Sequence, residues 1–394
     1  MSDFEISAAF KSFPPSSWGM TAREFLATRP QLDDFQTPLL SLSQDALDNN
    51  VATMAAWLTE HGLEIAPHGK TTMAPQLWRQ VLDAGAWGIT LATPWQVQVG
   101  RSVGLERIML ANSLVDPSAL EWIAGELHDT SFDFICWVDS VDTVALMTGV
   151  LEKLELSRPV DVIVELGAAG ARTGARTLDQ AIQVADAVLA SPALRLRGVG
   201  GYEGAVASDR SATSIAAVSR YLAEIVELTG LLGAHFEGRR PVVTAGGSAY
   251  VELVAEAFSG LDATLVLRSG AYQIHDDGYY DRVSALGSLR AAMHGWARVV
   301  SRPEPGLALL DGGRRDFPFD YDLPTVQGVE GARVTAINDQ HLYVEVANAS
   351  DLPIGSVVQL GLSHPCTAMD KWRYVPVTAS DDDRTVVDIV RTYF

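Results

Sequence analysis

The stretch LEIAPHGKTTM (63–73) has the pattern that decides the fold of this chain. A short apolar run ends in Pro, His and Gly, and one lysine, Lys70, follows directly. Seven further apolar runs lie downstream, each ending in a small or polar residue: GITLATP (88–94), RIMLANS (107–113), FDFICWVDS (132–140), VDVIVELG (160–167), LRGVGGYEG (196–204), PVVTAGGS (241–248) and ATLVLRSG (263–270). Runs that are apolar almost throughout predict parallel strands covered on both faces.

Helical patterns fill the gaps between these runs. Apolar residues recur three and four apart in segments such as TTMAPQLWRQVLDAG (71–85), TLDQAIQVADAVLAS (177–191) and SIAAVSRYLAEIVELTG (214–230). Eight strands that alternate with helices predict an α/β fold, a (β/α)8 TIM barrel. A doubly wound sheet has the same local signature and is the alternative. A further helix, predicted over 43–62, precedes the first strand.

After about residue 285 the pattern changes to short, Val-rich runs with turn residues between them. Examples are ARVTAIND, HLYVEVAN and TVVDIVRTYF, and no long helical pattern separates them. This change predicts a second, C-terminal all-β domain. We expect the barrel to occupy residues 29–283, and the β domain to consist of residues 284–394 together with 1–28.

Composition excludes several classes of function. The 394 residues carry a net charge of −20 and no Lys/Arg run, so nucleic-acid binding is not expected. The N-terminus lacks the pattern of a signal peptide, and no stretch of about 18 apolar residues indicates a membrane span. Two cysteines, Cys136 and Cys366, suit a reducing compartment. These features predict a soluble, cytoplasmic protein.

The C-terminal ends of barrel strands carry the catalytic residues in this fold. The seventh strand ends in Thr244 and the turn Gly246-Gly247-Ser248, which opens a helical pattern. A Gly-rich turn at a helix N-terminus binds phosphate through its N–H groups, and barrels often place a phosphate after strands seven and eight. The alternative is a tight turn that needs glycine only for a positive φ.

Lys70 lies at the end of the first strand, in the same mouth as this turn. A lysine opposite a phosphate site indicates a Schiff base with pyridoxal 5′-phosphate (PLP), since an aldehyde needs a nucleophilic amine. The alternative is a salt bridge from Lys70 to Glu165 or Asp139, because such ion pairs are common.

His364 and Cys366 lie two residues apart in SHPCTAMDKW (363–372). An imidazole and a thiolate favour zinc over harder cations, and two ligands leave positions open for chemistry. The alternative is a buried cysteine beside a capping histidine.

Four motifs together resemble the D-serine dehydratase and D-threonine aldolase family. They are PHGKT (67–71), GARTG (170–174), TAGGS (244–248) and SHPCTAMDKW. The resemblance extends from about residue 35 to residue 394. It implies a fold-type III PLP enzyme, with an alanine-racemase-like barrel and a C-terminal β domain, that forms homodimers.

The resemblance also implies roles for individual residues. Lys70 is similar to the lysine that binds PLP covalently and acts in catalysis, and His364 and Cys366 are similar to the metal ligands of the dehydratase branch. The remaining cofactor-binding residues would be His68, Arg172 beside the ring, Tyr202 near the pyridine nitrogen, and Thr244, Gly246, Gly247, Ser248 and Tyr272 around the phosphate.

The expected reaction is β-elimination from a 3-hydroxy D-amino acid such as D-serine, giving a 2-keto acid and ammonia. Cys366 is the residue that favours this branch, because the aldolase branch has an aspartate there and uses harder ions. D-threonine aldolase activity, which gives glycine and an aldehyde, is the alternative. A non-catalytic PLP-binding protein is a second alternative, and the β domain with its metal pair argues against it.

Overall fold

The computed structural model describes residues 4–236, 240–348 and 351–394. The predicted β domain begins at residue 1, so its first three residues lie outside the described part. The strands, in chain order, are β1 (Leu39–Ser43), β2 (Glu64–Ile65), β3 (Ile89–Leu91), β4 (Arg107–Ser113), β5 (Asp133–Val138), β6 (Val160–Leu166), β7 (Leu194–Gly201), β8 (Val242–Ala245), β9 (Thr264–Leu267), β10 (Met293–Glu304), β11 (Leu307–Leu310), β12 (Thr325–Val326), β13 (Arg333–Ile337), β14 (Leu342–Glu345), β15 (Val357–Gly361), β16 (Tyr374–Thr378) and β17 (Val386–Arg391).

The α-helices alternate with the parallel strands through the first two thirds of the chain. In chain order they are α1 (Ala22–Ala27), α2 (Gln44–His61), α3 (Pro75–Asp83), α4 (Pro94–Ser102), α5 (Pro117–Glu126), α6 (Val141–Leu151), α7 (Leu178–Ala190), α8 (Ala212–Leu231), α9 (Val251–Phe258), α10 (Tyr279–Val283) and α11 (Pro365–Met369). In the described part of the chain, none of them combines the length and apolar character needed to cross a membrane.

The chain divides into two compact units. One consists of Met1–Met54, Thr71–Gln80 and Ala271–Phe394, and the other of Ala55–Lys70 and Val81–Gly270. We call the first the sheet unit and the second the barrel unit.

The barrel unit contains eight parallel strands in the order β2-β9-β8-β7-β6-β5-β4-β3. A parallel bridge between His68 and Thr90 joins the two ends of this order, and the Thr90 N–H donates to the Pro67 carbonyl at 2.9 Å. Each of the eight predicted runs overlaps one of these strands. The predicted (β/α)8 barrel is therefore confirmed, and the doubly wound alternative is wrong because its sheet would be open.

Side chains fill the centre of the barrel. Ile135, Trp137 and Ile163, from β5 and β6, form part of a buried apolar cluster. Gly200 on β7 makes room for the indole, since a Cβ there would overlap the Trp137 ring. The barrel is thus a packed core, and the strand ends remain the place for chemistry.

Five of the barrel helices begin at capping side chains that accept a hydrogen bond from a backbone N–H in the first turn, which satisfies one of the exposed donors of that turn. The caps of α4, α5, α6, α7 and α8 are Thr93, Asp116, Ser140, Thr177 and Ser211, respectively. Thr93, Asp116 and Ser140 begin their helices directly after short turns from the preceding strands.

The sheet unit has the strand order β13-β14-β11-β10-β1-β16-β17, with β15 pairing with β10 and β12. β1 lies inside this sheet, antiparallel to β10 and parallel to β16. The predicted C-terminal all-β domain is therefore present, and it includes a strand from the N-terminal part of the chain.

The bounds of the two units differ from the expected 29–283 for the barrel and 284–394 with 1–28 for the β domain. Residues 39–43 belong to the sheet because β1 pairs with β10 and β16. Residues 71–80 also belong to the sheet unit, where the Met73 carbonyl accepts a hydrogen bond from the Tyr393 N–H at 2.9 Å. Gln76 donates to the Ile389 carbonyl at 2.9 Å.

Candidate active site

Lys70 lies on the 3-10 turn Gly69–Thr71, which follows the first barrel strand. The chain just after β9, the eighth barrel strand, approaches the same turn. A Cβ on Gly270 would lie 2.6 Å from both Cβ and the carbonyl oxygen of His68. This contact explains a glycine at position 270 and brings the ends of the first and eighth strands together.

His68 lies beside Lys70 in an electropositive environment. Burial lowers the pKa of His68 well below its ordinary value, and the charges of Lys70, Arg268 and Arg172 lower it further. Its Nδ1 atom is buried and has no hydrogen-bond partner in the described part of the chain. A neutral imidazole with an unused nitrogen, surrounded by cations, suits an anionic ligand with polar atoms of its own.

Arg268 directly follows β9, the eighth barrel strand, and is 2% exposed. Its guanidinium donates to Thr244 Oγ1 at 2.6 Å and to the Gly201 carbonyl at 2.5 Å, and it lies 4.8 Å from the Trp137 ring centroid. Burial lowers the pKa of Arg268, although Glu203 and Glu165 act in the opposite direction. Thr244, predicted to bind the cofactor, thus contacts Arg268, a residue to which the sequence analysis assigns no role.

The predicted phosphate turn has the left-handed backbone that its first glycine permits, with φ +111° at Gly246. The N–H groups of Gly246 and Gly247 donate to the two carboxylate oxygens of Glu203, at 2.9 and 2.6 Å. These two N–H groups, predicted to bind phosphate, are therefore engaged by an internal carboxylate. Glu203 could not be predicted from the sequence, because no motif around position 203 indicates a contact with residues more than 40 positions away.

The hydroxyl of Ser248, the third residue of that turn, contacts the hydroxyl of a serine that follows β9, the eighth barrel strand. Ser248 Oγ lies 2.8 Å from Ser269 Oγ. Two adjacent hydroxyls are suitable donors for a phosphate. Tyr272, predicted to complete the phosphate site, lies in the sheet unit on the buried turn Ala271–Gln273, where burial raises its phenol pKa.

Arg172 and Tyr202 contact each other in the barrel unit. The guanidinium carbon of Arg172 lies 4.4 Å from the Tyr202 ring centroid. Both residues line a small cavity, together with Glu165, Thr173, Tyr221 and small residues of the loop 167–171. Both residues are expected at the cofactor from their motifs, and they lie in one cavity wall.

Glu165 contributes a carboxylate to the same cavity. Its Oε1 accepts from the Thr173 hydroxyl at 3.2 Å, whereas its Oε2 is buried and has no partner among the described residues. Burial raises the pKa of Glu165, and the hydrogen bond from Thr173 partly opposes this.

The barrel unit contains buried polar atoms that suit a ligand with polar atoms of its own. Five buried polar atoms at its strand ends and interior lack a partner in the described part of the chain, and unpaired buried donors and acceptors are rare in folded proteins. They are His68 Nδ1, Ser113 Oγ, Trp137 Nε1, Glu165 Oε2 and Arg268 Nε.

His364 and Cys366 lie in the sheet unit at the start of α11. His364 has a left-handed backbone, with φ +56°, and its N–H donates to the buried carboxylate of Asp276 at 2.8 Å. Its Nδ1 lies 2.5 Å from Asp320 Oδ2, while the Thr367 hydroxyl donates to the other oxygen of Asp320 at 2.7 Å. The histidine is thus held at its backbone and at one ring nitrogen.

The two predicted metal ligands also interact with each other. Burial lowers the pKa of His364, but its hydrogen bond with Cys366 and its contact with Asp320 outweigh burial and raise the pKa overall. Within the described ranges, no group of three or more His, Cys, Asp or Glu side chains is arranged to hold a metal ion. One nitrogen and one sulfur suit a soft divalent cation whose other positions stay open.

Comparisons with known proteins agree with this architecture. A family model named "Alanine racemase, N-terminal domain" matches residues 42–270, and one named "Putative serine dehydratase domain" matches residues 292–378. The chain is 26% identical over 329 residues to a D-threonine aldolase of an Arthrobacter species, which covers 83% of this chain and 85% of that protein.

Two further comparisons are with a dehydratase and with an aldolase, the two classes of enzyme expected from the sequence. A D-threo-3-hydroxyaspartate dehydratase of Delftia sp. (strain HT23) is 23% identical over 378 residues, covering 88% of this chain and 94% of that protein. The crystal structure of D-threonine aldolase from Filomicrobium marinum superposes with a TM-score of 0.80 at 23% identity, covering 92% of this chain and 96% of that chain. This superposition shows a shared fold.

Proposed function

The chain belongs to the D-serine dehydratase and D-threonine aldolase family of alanine-racemase-type barrels, and we propose that it is a PLP-dependent lyase acting on 3-hydroxy D-amino acids. One observation carries the proposal: Lys70 lies at the end of the first barrel strand, where its charge and those of Arg172 and Arg268 all lower the pKa of His68. An anionic cofactor that needs a lysine amine matches this charge and this residue.

Lys70 would hold the cofactor covalently in the resting enzyme. Arg172 and Tyr202 would contact the ring region from one wall, and the hydroxyls of Ser248 and Ser269 would donate to the phosphate. PLP supplies a sink for the electron pair that remains at the substrate Cα after a proton leaves. The amine of Lys70 is the group that we assign to accept this proton, since a lysine amine that holds the cofactor lies next to the reacting carbon.

His364 and Cys366 would hold a divalent metal, which we propose to be zinc. Asp320 accepts from Nδ1 of the imidazole, and this leaves Nε2 as the metal-binding nitrogen. A zinc ion acts as a Lewis acid on an oxygen that it binds, such as the hydroxyl on Cβ of the substrate. The two ligands leave positions for that oxygen.

We favour β-elimination as the reaction. Lys70 takes the Cα proton, the hydroxyl leaves Cβ with its electron pair, and a double bond forms between Cα and Cβ. Hydrolysis of the resulting enamine gives a 2-keto acid and ammonia. Cys366 supports this choice, because a thiolate ligand favours the softer ion that we associate with the dehydratase branch.

Retro-aldol cleavage is the second candidate, and the similarity to an Arthrobacter D-threonine aldolase supports it. In this reaction a base takes the proton of the β-hydroxyl and the bond between Cα and Cβ breaks. The products are glycine and an aldehyde, so product analysis separates the two reactions.

The test is a product assay on purified protein loaded with PLP and zinc. D-serine, D-threonine and D-threo-3-hydroxyaspartate are each supplied with and without a chelator, and 2-keto acid, ammonia, glycine and aldehyde are measured. We expect keto acid and ammonia in equal amounts, lost with the chelator and in Lys70→Ala. Glycine and aldehyde would assign the aldolase reaction, and no product from any substrate would contradict the lyase proposal.

A further inference from the structure

Thr71 is a buried residue that neither expected site uses. It is 2% exposed and is the last residue of the turn Gly69–Thr71, directly after Lys70 in the chain. Its Oγ1 lies 3.3 Å from Sγ of Cys366, and the two residues are 295 positions apart in the sequence. The hydroxyl that follows the expected cofactor lysine therefore contacts the sulfur of an expected metal ligand.

The segment that begins at Thr71 is fixed to the sheet unit by main-chain and side-chain hydrogen bonds. The Met73 carbonyl accepts from the Tyr393 N–H at 2.9 Å. The Gln76 amide donates to the Ile389 carbonyl at 2.9 Å, and its oxygen accepts from the Arg391 N–H at 3.3 Å. These contacts anchor the chain just after Thr71 to β17 and to Tyr393, which follows that strand.

The direction of the Thr71–Cys366 hydrogen bond depends on the state of the sulfur. A thiol and a hydroxyl can each donate to the other. A thiolate, the form that binds metals, has no proton and can only accept, so the hydroxyl of Thr71 must be the donor. A hydrogen bond to an ionised acceptor is about twice as strong as one between neutral groups.

We propose that Thr71 is a positioning residue that donates to the Cys366 thiolate when a metal is bound, and so couples metal binding to the turn that carries Lys70. This inference rests on the PLP and metal sites of the proposed function. It goes beyond them in making the two sites dependent on each other through one hydroxyl. Metal binding then fixes the Thr71 side chain, and the peptide that joins Thr71 to Lys70 is restrained with it.

The test uses the PLP-loaded protein after chelator treatment, titrated with zinc alone. Two quantities are measured without any substrate: the zinc Kd and the visible absorption and circular dichroism of the bound PLP. In the wild type we expect zinc to change the PLP spectrum. In Thr71→Val, which keeps the shape but lacks the hydroxyl, we expect zinc to bind about 10- to 100-fold more weakly, the usual effect of losing a partner of a metal ligand.

Two further variants keep the test decisive. Thr71→Ser retains the hydroxyl and should keep both the zinc Kd and the spectral response, whereas Cys366→Ala should lose both. Equal zinc Kd and spectral response in the wild type and Thr71→Val would overturn the inference, and so would an equal loss in Thr71→Ser and Thr71→Val. An absence of any zinc-induced spectral change in the wild type would overturn the coupling without a variant.

These readouts do not require turnover. A protein that shows the zinc response but forms no product would contradict the lyase proposal and leave the coupling intact. A protein that forms product but shows no zinc response would support the lyase proposal and contradict the coupling.

Discussion

The carboxylate of Asp320 accepts a hydrogen bond from the imidazole of His364, with 2.5 Å between Oδ2 and Nδ1. A carboxylate has no proton to give at neutral pH, so Nδ1 carries the hydrogen and Nε2 is the nitrogen that can bind a metal ion through its lone pair. The same carboxylate is held by Thr367 through its other oxygen. The pair therefore sets which nitrogen of His364 is available to a metal ion.

Substitution of Asp320 tests this arrangement. In Asp320→Ala the tautomer of His364 is no longer fixed, and we expect zinc to bind about 10- to 100-fold more weakly. The measurement is a zinc titration against a competing chelator. Asp339→Ala, which removes an exposed carboxylate paired with an exposed Arg315, is the control and should bind zinc as the wild type does. Equal affinity in Asp320→Ala would show that Asp320 does not orient His364.

Glu203 is the second residue whose removal should affect a predicted site. Glu203→Gln keeps the size of the side chain but replaces one acceptor oxygen with an NH2 group that faces a glycine N–H. Since a hydrogen bond to a charged group contributes about 1.5–3 kcal/mol, we expect the Gly246–Gly247 turn to loosen and PLP affinity to fall about tenfold or more. PLP fluorescence titration measures this. Glu256→Gln on the exposed surface of α9 is the control, and unchanged PLP affinity in Glu203→Gln would separate this turn from the cofactor.

Glu203 also predicts a pH dependence of stability. Burial raises its pKa above the ordinary value of about 4.3, although the N–H groups of Gly247 and Gly246 act against this rise. Between the ordinary and the raised pKa the folded protein binds a proton that the unfolded chain has lost, so the free energy of unfolding falls as the pH rises through this window. Glu203→Gln cannot titrate.

Urea unfolding of the wild type and Glu203→Gln at a series of pH values gives the difference between their unfolding free energies. We expect the wild type to lose stability relative to the variant from about pH 4.3 upward, until the raised pKa is passed. A difference that stays constant across this range would show that Glu203 keeps an ordinary pKa in the folded protein.

Gly270 tests the contact between the first and eighth strand ends. In Gly270→Ala the new Cβ would lie 2.6 Å from Cβ and the carbonyl oxygen of His68, so the backbone beside Lys70 must move. Such overpacking typically costs about 1–3 kcal/mol, and we expect a lower Tm together with weaker PLP binding. Gly149→Ala is the control, because a Cβ there meets open space on α6. A Gly270→Ala protein with wild-type Tm and PLP affinity would contradict the contact.

Two substitutions of Tyr202 distinguish the contribution of its aromatic ring to PLP binding from that of its hydroxyl. Tyr202→Phe keeps the face on which the Arg172 guanidinium lies at 4.4 Å, so we expect PLP affinity to remain within about twofold of the wild type. Tyr202→Leu removes the aromatic face, and we expect weaker PLP binding. Equal weakening in both variants would assign the effect to the hydroxyl instead.

The parts of this structure that the sequence predicted are those with a local signature. Each barrel strand is a short apolar run with a small or polar residue at its end, and the helices α4 to α8 begin at Ser, Thr or Asp caps. The motifs around Lys70, Arg172 and His364 could be found for the same reason, since each is a compact set of neighbours in the chain.

The parts that were missed depend on partners far away in the sequence. β1 has the sequence LLSLS, and only its pairing with β10, about 250 residues later, assigns it to the sheet unit. Glu203 and Asp320 lie in turns without a motif, and their functions follow from contacts with Gly246 and His364. No periodicity or spacing within one segment contains that information.

The most direct test of the central claim is to locate the cofactor on the chain. The PLP-loaded protein is reduced with borohydride, digested, and analysed by mass spectrometry. The sequence has four lysines, Lys11, Lys70, Lys153 and Lys371, so three serve as controls within one experiment. We expect the reduced cofactor on the peptide that contains Lys70 and on none of the others. Labelling of another lysine, or of none, would contradict the assignment of Lys70 as the residue that binds PLP.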